Sequence, residues 1–163
     1  MGAQGNTISL GGGQGDVVTI GQGSNNHITV GNGNGDVVND SAFGDTITLG
    51  NGLGDVVNAG ANSTLGNGGD TVTAVSSLIH AGKGHDTFVL SGDFGQETIT
   101  NFSPTDDNIV LAQAVFGNFG AMQSDIAQVG ANAVITDPQN SGNVLTLTNV
   151  KTSSLRASDF HFV

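Results

Sequence analysis

The 163-residue sequence predicts an all-β protein: a parallel β-roll or β-solenoid over residues 1–90, followed by a C-terminal β-sandwich-like cap over residues 91–163. Three observations predict it. First, five aspartates, Asp16, Asp36, Asp55, Asp70 and Asp86, recur at separations of 20, 19, 15 and 16 residues, each between a glycine-rich stretch and an apolar tripeptide. Repeats of that length are stacked supersecondary units, none of which buries its own apolar face alone. Second, apolar residues fall two and four positions after the Asp or Asn that opens each unit, the period of a strand with one buried face. Third, the composition changes near Ser91: glycine thins out, and six of the eight phenylalanines lie between Phe94 and Phe162.

Each element follows in order. Asn6 leads to Ile8 and Leu10, Asp16 to Val18 and Ile20, Asn26 to Ile28 and Val30, and Asp36 to Val38. Asp45 leads to Ile47 and Leu49, Asp55 to Val57, Asp70 to Val72 and Ala74, and Asp86 to Phe88 and Leu90. Two kinds of unit alternate: Gly-Asp-Val-Val at 15–18, 35–38 and 54–57, and Asn/Asp-Thr/His-Ile-Ser/Thr at 6–9, 26–29 and 45–48. One coil is therefore two short strands and two turns, about 20 residues early and about 16 later. Glycines between strands supply the positive φ angles that tight turns need. Val18, Val38, Val57, Val72 and Phe88 are the predicted wall of the core, and no helix is expected before residue 90. Beyond it, strands are predicted at Glu97–Phe102, Asn108–Leu111, Ile126–Val129, Ala133–Thr136 and Val144–Val150. A helical turn is expected over Phe116–Met122, and a chain reversal from Asp137 to Asn143. This second half closes the open end of the stack, which would otherwise invite edge-to-edge pairing.

Bulk composition excludes several functions. The net charge is −11, and Lys83, Lys151 and Arg156 are the only basic side chains besides histidine, so a row of phosphates or an anionic membrane surface finds no partner. No cysteine is present, hence no disulfide or thiolate metal site, and no apolar run approaches the roughly 18 residues of a membrane span. Met1–Gly5 has neither the basic start nor the apolar stretch of a secretory signal, so any export address is expected elsewhere in the chain. The glycine runs open strands rather than helices, which rules out phosphate loops. His27, His80, His85 and His161 share no metal spacing, no Gly-x-Ser-x-Gly or His-Glu-x-x-His occurs, and Asp106-Asp107 read as turn acids that cap or bind calcium; the chain is not expected to be an enzyme.

Stacking turns the recurrent acids into ladders. One edge carries the five aspartates; the other carries Asn6, Asn26, Asp45 and, less regularly, Asn62. Strands in a stack lie about 4.8 Å apart, so equivalent carboxylates repel unless counter-charge intervenes. Calcium suits the role, since it takes six to eight oxygens from carboxylates and backbone carbonyls. At about tenfold above its dissociation constant each ion would add roughly 1.4 kcal/mol, so about five sites would add roughly 7 kcal/mol, the scale of a whole domain's stability. The alternative is that some aspartates only cap turns. On the other edge, asparagine can stack in hydrogen-bonded ladders that need no metal.

Two segments carry a family resemblance. Ala81-Gly82-Lys83-Gly84-His85-Asp86-Thr87-Phe88-Val89 resembles the RTX nonapeptide G-G-x-G-x-D-x-U-x, as does Leu65-Gly66-Asn67-Gly68-Gly69-Asp70-Thr71-Val72-Thr73. The runs Asp86–Leu90, Ile99–Phe102 and Asp107–Leu111 are similar to the junction between such β-rolls and their C-terminal domain, and Ala157–Val163 is similar to the terminus of type I secretion substrates. The resemblance covers roughly residues 65–163; the earlier turns, such as Gly31–Asp36, are one residue longer. It implies a bacterial calcium-binding module, secreted or at the cell surface, passed unfolded through an ABC-type exporter and folded outside on calcium. It further implies Asp16, Asp36, Asp45, Asp55, Asp70 and Asp86 as side-chain ligands, with turn carbonyls at Gly66, Gly68, Gly82 and Gly84 completing the sites, and Asp159–Val163 as the segment the exporter reads. Three other functions stay open. The uncapped N-terminal coil could stack on a second copy to build a surface layer, fibre or matrix. The chain could be the tail of a larger secreted enzyme or adhesin. The outward rows Thr7/Ser9, His27/Thr29 and Thr46/Thr48 resemble the ice-binding face of some antifreeze proteins, although threonine also suits any exposed strand.

Overall fold

Parallel pairing of strands one coil apart builds the molecule. The computed structural model of the chain describes residues 4–90 and 92–163, the side chains at positions 42, 43 and 60–62 excepted. In chain order the strands are β1 (Thr7–Ser9), β2 (Val17–Ile20), β3 (His27–Thr29), β4 (Val37–Thr48), β5 (Val56–Thr64), β6 (Thr71–Ala74), β7 (Leu78–His80), β8 (Thr87–Leu90), β9 (Gln96–Thr100) and β10 (Asn108–Leu111). Two single-turn helices follow, α1 (Gln113–Phe116) and α2 (Phe119–Met122), then β11 (Ile126–Val129), β12 (Asn132–Thr136), β13 (Val144–Leu147) and β14 (Phe160–Phe162).

The solenoid has two faces. One stacks β1, β3, the second part of β4, the second part of β5, β7, β9 and β13; the other stacks β2, the first parts of β4 and β5, β6, β8, β10 and β14. Every pairing in these two stacks is parallel; β11 and β12 extend the first face beyond β13 as an antiparallel hairpin pair. This is the all-β parallel solenoid that the period-two pattern predicts. The C-terminal half continues both faces, with β9 on β7 and β10 on β8, and closes the stack with β11–β14.

The core is a set of side-chain columns running along the stack. On the second face Val18, Val38, Val57, Val72 and Phe88 line up in register as expected, and Ile109 and Phe160 extend the same column into the C-terminal half. All are buried. Facing them are Ile28, Ile47, Ile79, Ile99 and Leu147, interrupted by the buried Ser63. On the outer side of that face Ser9, Thr29, Thr48, Thr64, His80 and Thr100 align in one column.

Local differences have local causes. β4 and β5 run through both faces without a break, where two short strands per coil were expected; the register slips between Asp40 and Thr46 as the chain rounds the corner. β14 was not foreseen. Three residues are too few for a periodic signal, and pairing with β10 and burial of Phe160 make the strand.

The turns before the aspartates explain the glycine content more fully than φ alone. Gly35 and Gly54 do hold positive φ, +71° and +73°. The other demand is axial contact. A Cβ on Gly31, Gly50, Gly66 or Gly82 would sit 1.8, 2.0, 1.3 or 1.6 Å from the carbonyl oxygen of Gly11, Gly31, Gly50 or Gly66 on the preceding coil. A second column, Gly13, Gly33, Gly52, Gly68 and Gly84, repeats the arrangement at 1.4–2.0 Å. Two rows of carbonyls thus point along the stack at the next turn's Cα, where no side chain fits. Gly66→Ala is expected to lose about 1–3 kcal/mol by overpacking. Gly11→Ala, in the same column but with nothing within 4 Å of its Cβ, should stay within about 0.5 kcal/mol of the parent. Urea denaturation of the two variants checks this; equal losses would refute the axial contact.

Candidate functional site

The aspartate edge is a continuous hydrogen-bonded ladder. Asp16 donates its backbone N–H to Oδ1 of Asp36 at 2.9 Å, Asp36 to Asp55 at 3.0 Å, Asp55 to Asp70 at 3.3 Å, and Asp70 to Asp86 at 3.0 Å. Asp86 then donates to Oδ1 of Asp107 at 3.1 Å. Each carboxylate therefore reaches back one coil and caps the strand start there, which is the turn-capping role open to aspartate from the outset. Asp107 is a sixth rung that the repeat pattern omits, because Ser103-Pro104-Thr105 stands where other turns carry glycine. The signal was present: Ile109 and Leu111 follow Asp107 at the same two and four positions.

Capping uses only one oxygen of each acid. Oδ2 of Asp36, Asp55 and Asp70 is buried with no hydrogen-bond partner. Two rungs escape this: Oδ2 of Asp86 accepts the N–H of Gly82 at 3.2 Å, and Oδ2 of Asp107 accepts that of Ser103 at 2.8 Å. Asp36, Asp55, Asp70, Asp86 and Asp107 are all buried, while Asp16, on the first coil, is half-buried.

The electrostatics follow from burial. Asp70 is pushed up to about 7, first by desolvation and then by the charges of Asp86 and Asp55, against the backbone N–H groups of Asp55 and Gly66. Asp107 is raised to about 6 by burial, against hydrogen bonds from Ser103 and Asp86. Burial also raises Asp55 and Asp86. No lysine or arginine charge acts on any of the four. The exposed Asp106 goes the other way, lowered by the hydroxyls of Ser103 and Thr105.

The opposite edge is built alike but satisfied differently. Asn6 donates its backbone N–H and its amide to Oδ1 of Asn26, at 3.1 and 2.9 Å. Asn26 donates its backbone N–H to Oδ1 of Asp45 at 2.8 Å, and its amide reaches both carboxylate oxygens at 3.2 and 3.3 Å. Asp45, included with the ligands at first, thus has both oxygens occupied. Asn62 does not continue this ladder, because its backbone pairs in register with Thr46 rather than Asp45; its side chain lies outside the described residues. Higher up, Ser77 and Glu97 occupy the same edge; Ile79 and Ile99 follow them at the usual two positions, but neither residue is the Asn or Asp that opens the earlier units.

These residues fit a hard cation in donor type. Three buried anionic oxygens lack donors, and the glycine turns beside them carry carbonyls directed along the stack. Gly66, Gly68, Gly82 and Gly84 belong to those turns. Among the described residues, however, no three carboxylate or imidazole side chains converge on one point, so each coil offers a single carboxylate and carbonyls must supply the rest. The histidines lie apart: His80 bonds Thr100, His85 bonds the carbonyl of Asp106, His161 bonds Asn108, and His27 is exposed.

No family model matches the chain, and no curated protein matches it in sequence. Among solved structures it is similar to the extracellular lipase LipA from Serratia marcescens, with a TM-score of 0.48 and 12% identity over 100% of this chain. The chain spans 39% of the lipase's length, and the lipase's activity is not carried over to it. No helix among the described residues is long and apolar enough to cross a membrane.

Proposed function

We propose that the chain is a calcium-binding β-roll of the RTX type that acts outside the cell and folds when it takes up the metal. The observation that carries this reading is the row of donorless, buried Oδ2 atoms on Asp36, Asp55 and Asp70. A buried anionic oxygen without donor or cation is strongly destabilising, and here three recur on successive coils. On the asparagine edge an amide does the same job neutrally; on the aspartate edge backbone N–H groups do it only at Asp86 and Asp107. Bound calcium would supply positive charge and accept hard oxygen donors, and magnesium suits the site less because it holds its waters in a tight octahedron. Asp36, Asp55 and Asp70 would each present one oxygen while keeping the other on the preceding coil's N–H. Turn carbonyls of the glycine columns would complete the shell. Asp16 would serve at the first coil, and Asp86 and Asp107 would close the ladder.

Type I export fits the same scheme for a structural reason. Asp159 accepts the N–H of Arg156, Phe160 is buried and stacks on Phe119 at 5.4 Å, and β14 pairs with β10. An exporter that reads Asp159–Val163 must therefore meet it before the chain folds. Low calcium inside the cell and high calcium outside would separate the two states. A second reading, assembly through the N-terminal coil, is favoured by half-buried Ile8 and Leu10 and by β1 and β2, which among the described residues pair on one side only, with β3 and β4.

Calcium titration into metal-stripped protein at pH 8, followed by far-UV circular dichroism and sedimentation, tests both. A cooperative, chelator-reversible rise in β signal is expected. A folded spectrum that calcium leaves unchanged would overturn the proposal, and particle growth in step with the signal would move the reading to assembly.

A further inference from the structure

The joint between the coils and the C-terminal half contains a second buried acid that the calcium reading does not use. Glu97, the second residue of β9, lies on the asparagine edge and is 1% exposed. Its Oε2 accepts both the backbone N–H and the hydroxyl of Ser77, at 3.2 and 2.7 Å, tying β9 to the chain just before β7. Its Oε1 is buried and has no partner. We propose that this joint is a proton-held latch: the folded protein carries Glu97 as the neutral acid, and loss of that proton loosens the contact between β7 and β9.

The surroundings leave little else to neutralise it. β7 contributes His80, whose ring is engaged by Thr100 at 2.7 Å on the outer side of the face. β13, the other strand beside β9, has no ionisable residue. The segment before β9 carries Asp93, exposed and held by Asn140. Asp137, in the nearby turn, has its oxygens taken by Gln139, Asn140 and Asn143. A neutral carboxyl can leave one oxygen unpaired at modest expense; a carboxylate would bury a charge there. Burial accordingly raises Glu97 above the ordinary glutamate range, against opposing bonds from Ser77 and the backbone of Ser76. The contribution is present below the unfolded glutamate value and is lost as pH rises through the folded one.

The joint is also poorly able to rearrange. Ser76 holds φ at +53°, and its Oγ fills the space where a Cβ on Gly95 would lie, at 2.1 Å. Gly95 in turn donates its N–H to Asn143 at 2.9 Å, so the latch couples the solenoid to the β12–β13 turn.

The test compares melting temperatures of the parent and Glu97→Gln, both in saturating calcium, from pH 4 to pH 8. The variant should match the parent at pH 4 and exceed it by about 2–4 °C or more at pH 8. Carboxyl-carbon NMR of the parent should place the Glu97 titration above the usual glutamate range, and amide exchange in β7 and β9 should quicken as it titrates. A titration in the ordinary range overturns the latch even if the variant fails to fold. So does the loss of one bound calcium per chain in Glu97→Gln, which would make Glu97 a metal ligand instead.

Discussion

Metal-stripped protein should become more stable on acidification, by about 4–6 kcal/mol between pH 8 and pH 4, whereas calcium-loaded protein should become less stable over the same range. The sign comes from the raised carboxyls. Asp70, at about 7, and Asp107, at about 6, together with the upward-shifted Asp55 and Asp86, bind protons in the folded state at pH values where the unfolded chain has released them. Their stabilisation is complete below the ordinary aspartate value near 3.8 and disappears as pH climbs through 6 and 7. Taken singly, the Asp70 and Asp107 shifts would sum to roughly 7 kcal/mol at about 1.4 kcal/mol per unit. Stacked carboxyls share protons and titrate as a group, which lowers the total. Relief of the −11 net charge works in the same direction, and exposed Asp106 opposes it only weakly. With calcium bound the order reverses, since protons then compete with the metal for the same oxygens. Thermal melts of calcium-loaded protein, and the folded fraction of stripped protein by circular dichroism, at pH 4, 5, 6, 7 and 8 read the two slopes. Parallel slopes would show that protons and calcium do not act on a common ladder.

Much of this arrangement was legible in the residues, and the boundary has a physical cause. Period-two spacing places Val18, Val38, Val57, Val72 and Phe88 in one wall because each strand is half buried and its neighbour repeats it in register. The acids at each turn were legible for the same reason. Which way a carboxylate faces was not, because that depends on the coil before it: Oδ1 of Asp36 is fixed by the N–H of Asp16, twenty residues earlier. The glycine columns show the same limit. Gly66 reads as a turn residue in isolation, but its demand comes from the carbonyl of Gly50 on another coil. Asp107 kept its apolar positions, Ile109 and Leu111, but lacked the glycines that mark a turn, and Glu97 stands where earlier coils have Asn or Asp. Asp45 stands on the other edge, where its carboxylate accepts the amide of Asn26, a contact that only the stacking of two coils brings about.

The contrast between the two edges leads to the most discriminating substitution, Asp70→Asn. Without metal, asparagine keeps an oxygen to accept the N–H of Asp55 and replaces the donorless Oδ2 with an amide. That amide can donate to a neighbouring carboxylate as Asn26 does to Asp45. It also removes the charge that Asp55 and Asp86 oppose. Metal-stripped Asp70→Asn at pH 8 is therefore expected to be about 2–3 kcal/mol more stable than the parent, below the roughly 4 kcal/mol that a lone shift from 3.8 to about 7 would represent. In saturating calcium the sign should invert. One carboxylate is lost from the middle of the ladder, the local site weakens, and linkage stabilisation of at least roughly 1.4 kcal/mol goes with it. The folded fraction of both stripped proteins, with denaturation of both in saturating calcium, forms a cycle whose coupling term isolates the metal from the cap. If Asp70→Asn destabilises equally with and without calcium, the aspartates are turn caps and the ladder holds no metal. If it stabilises equally in both, the edge is an unrelieved electrostatic burden that calcium does not address. Only inversion of sign supports a carboxylate row built to be neutralised from outside, one coil at a time.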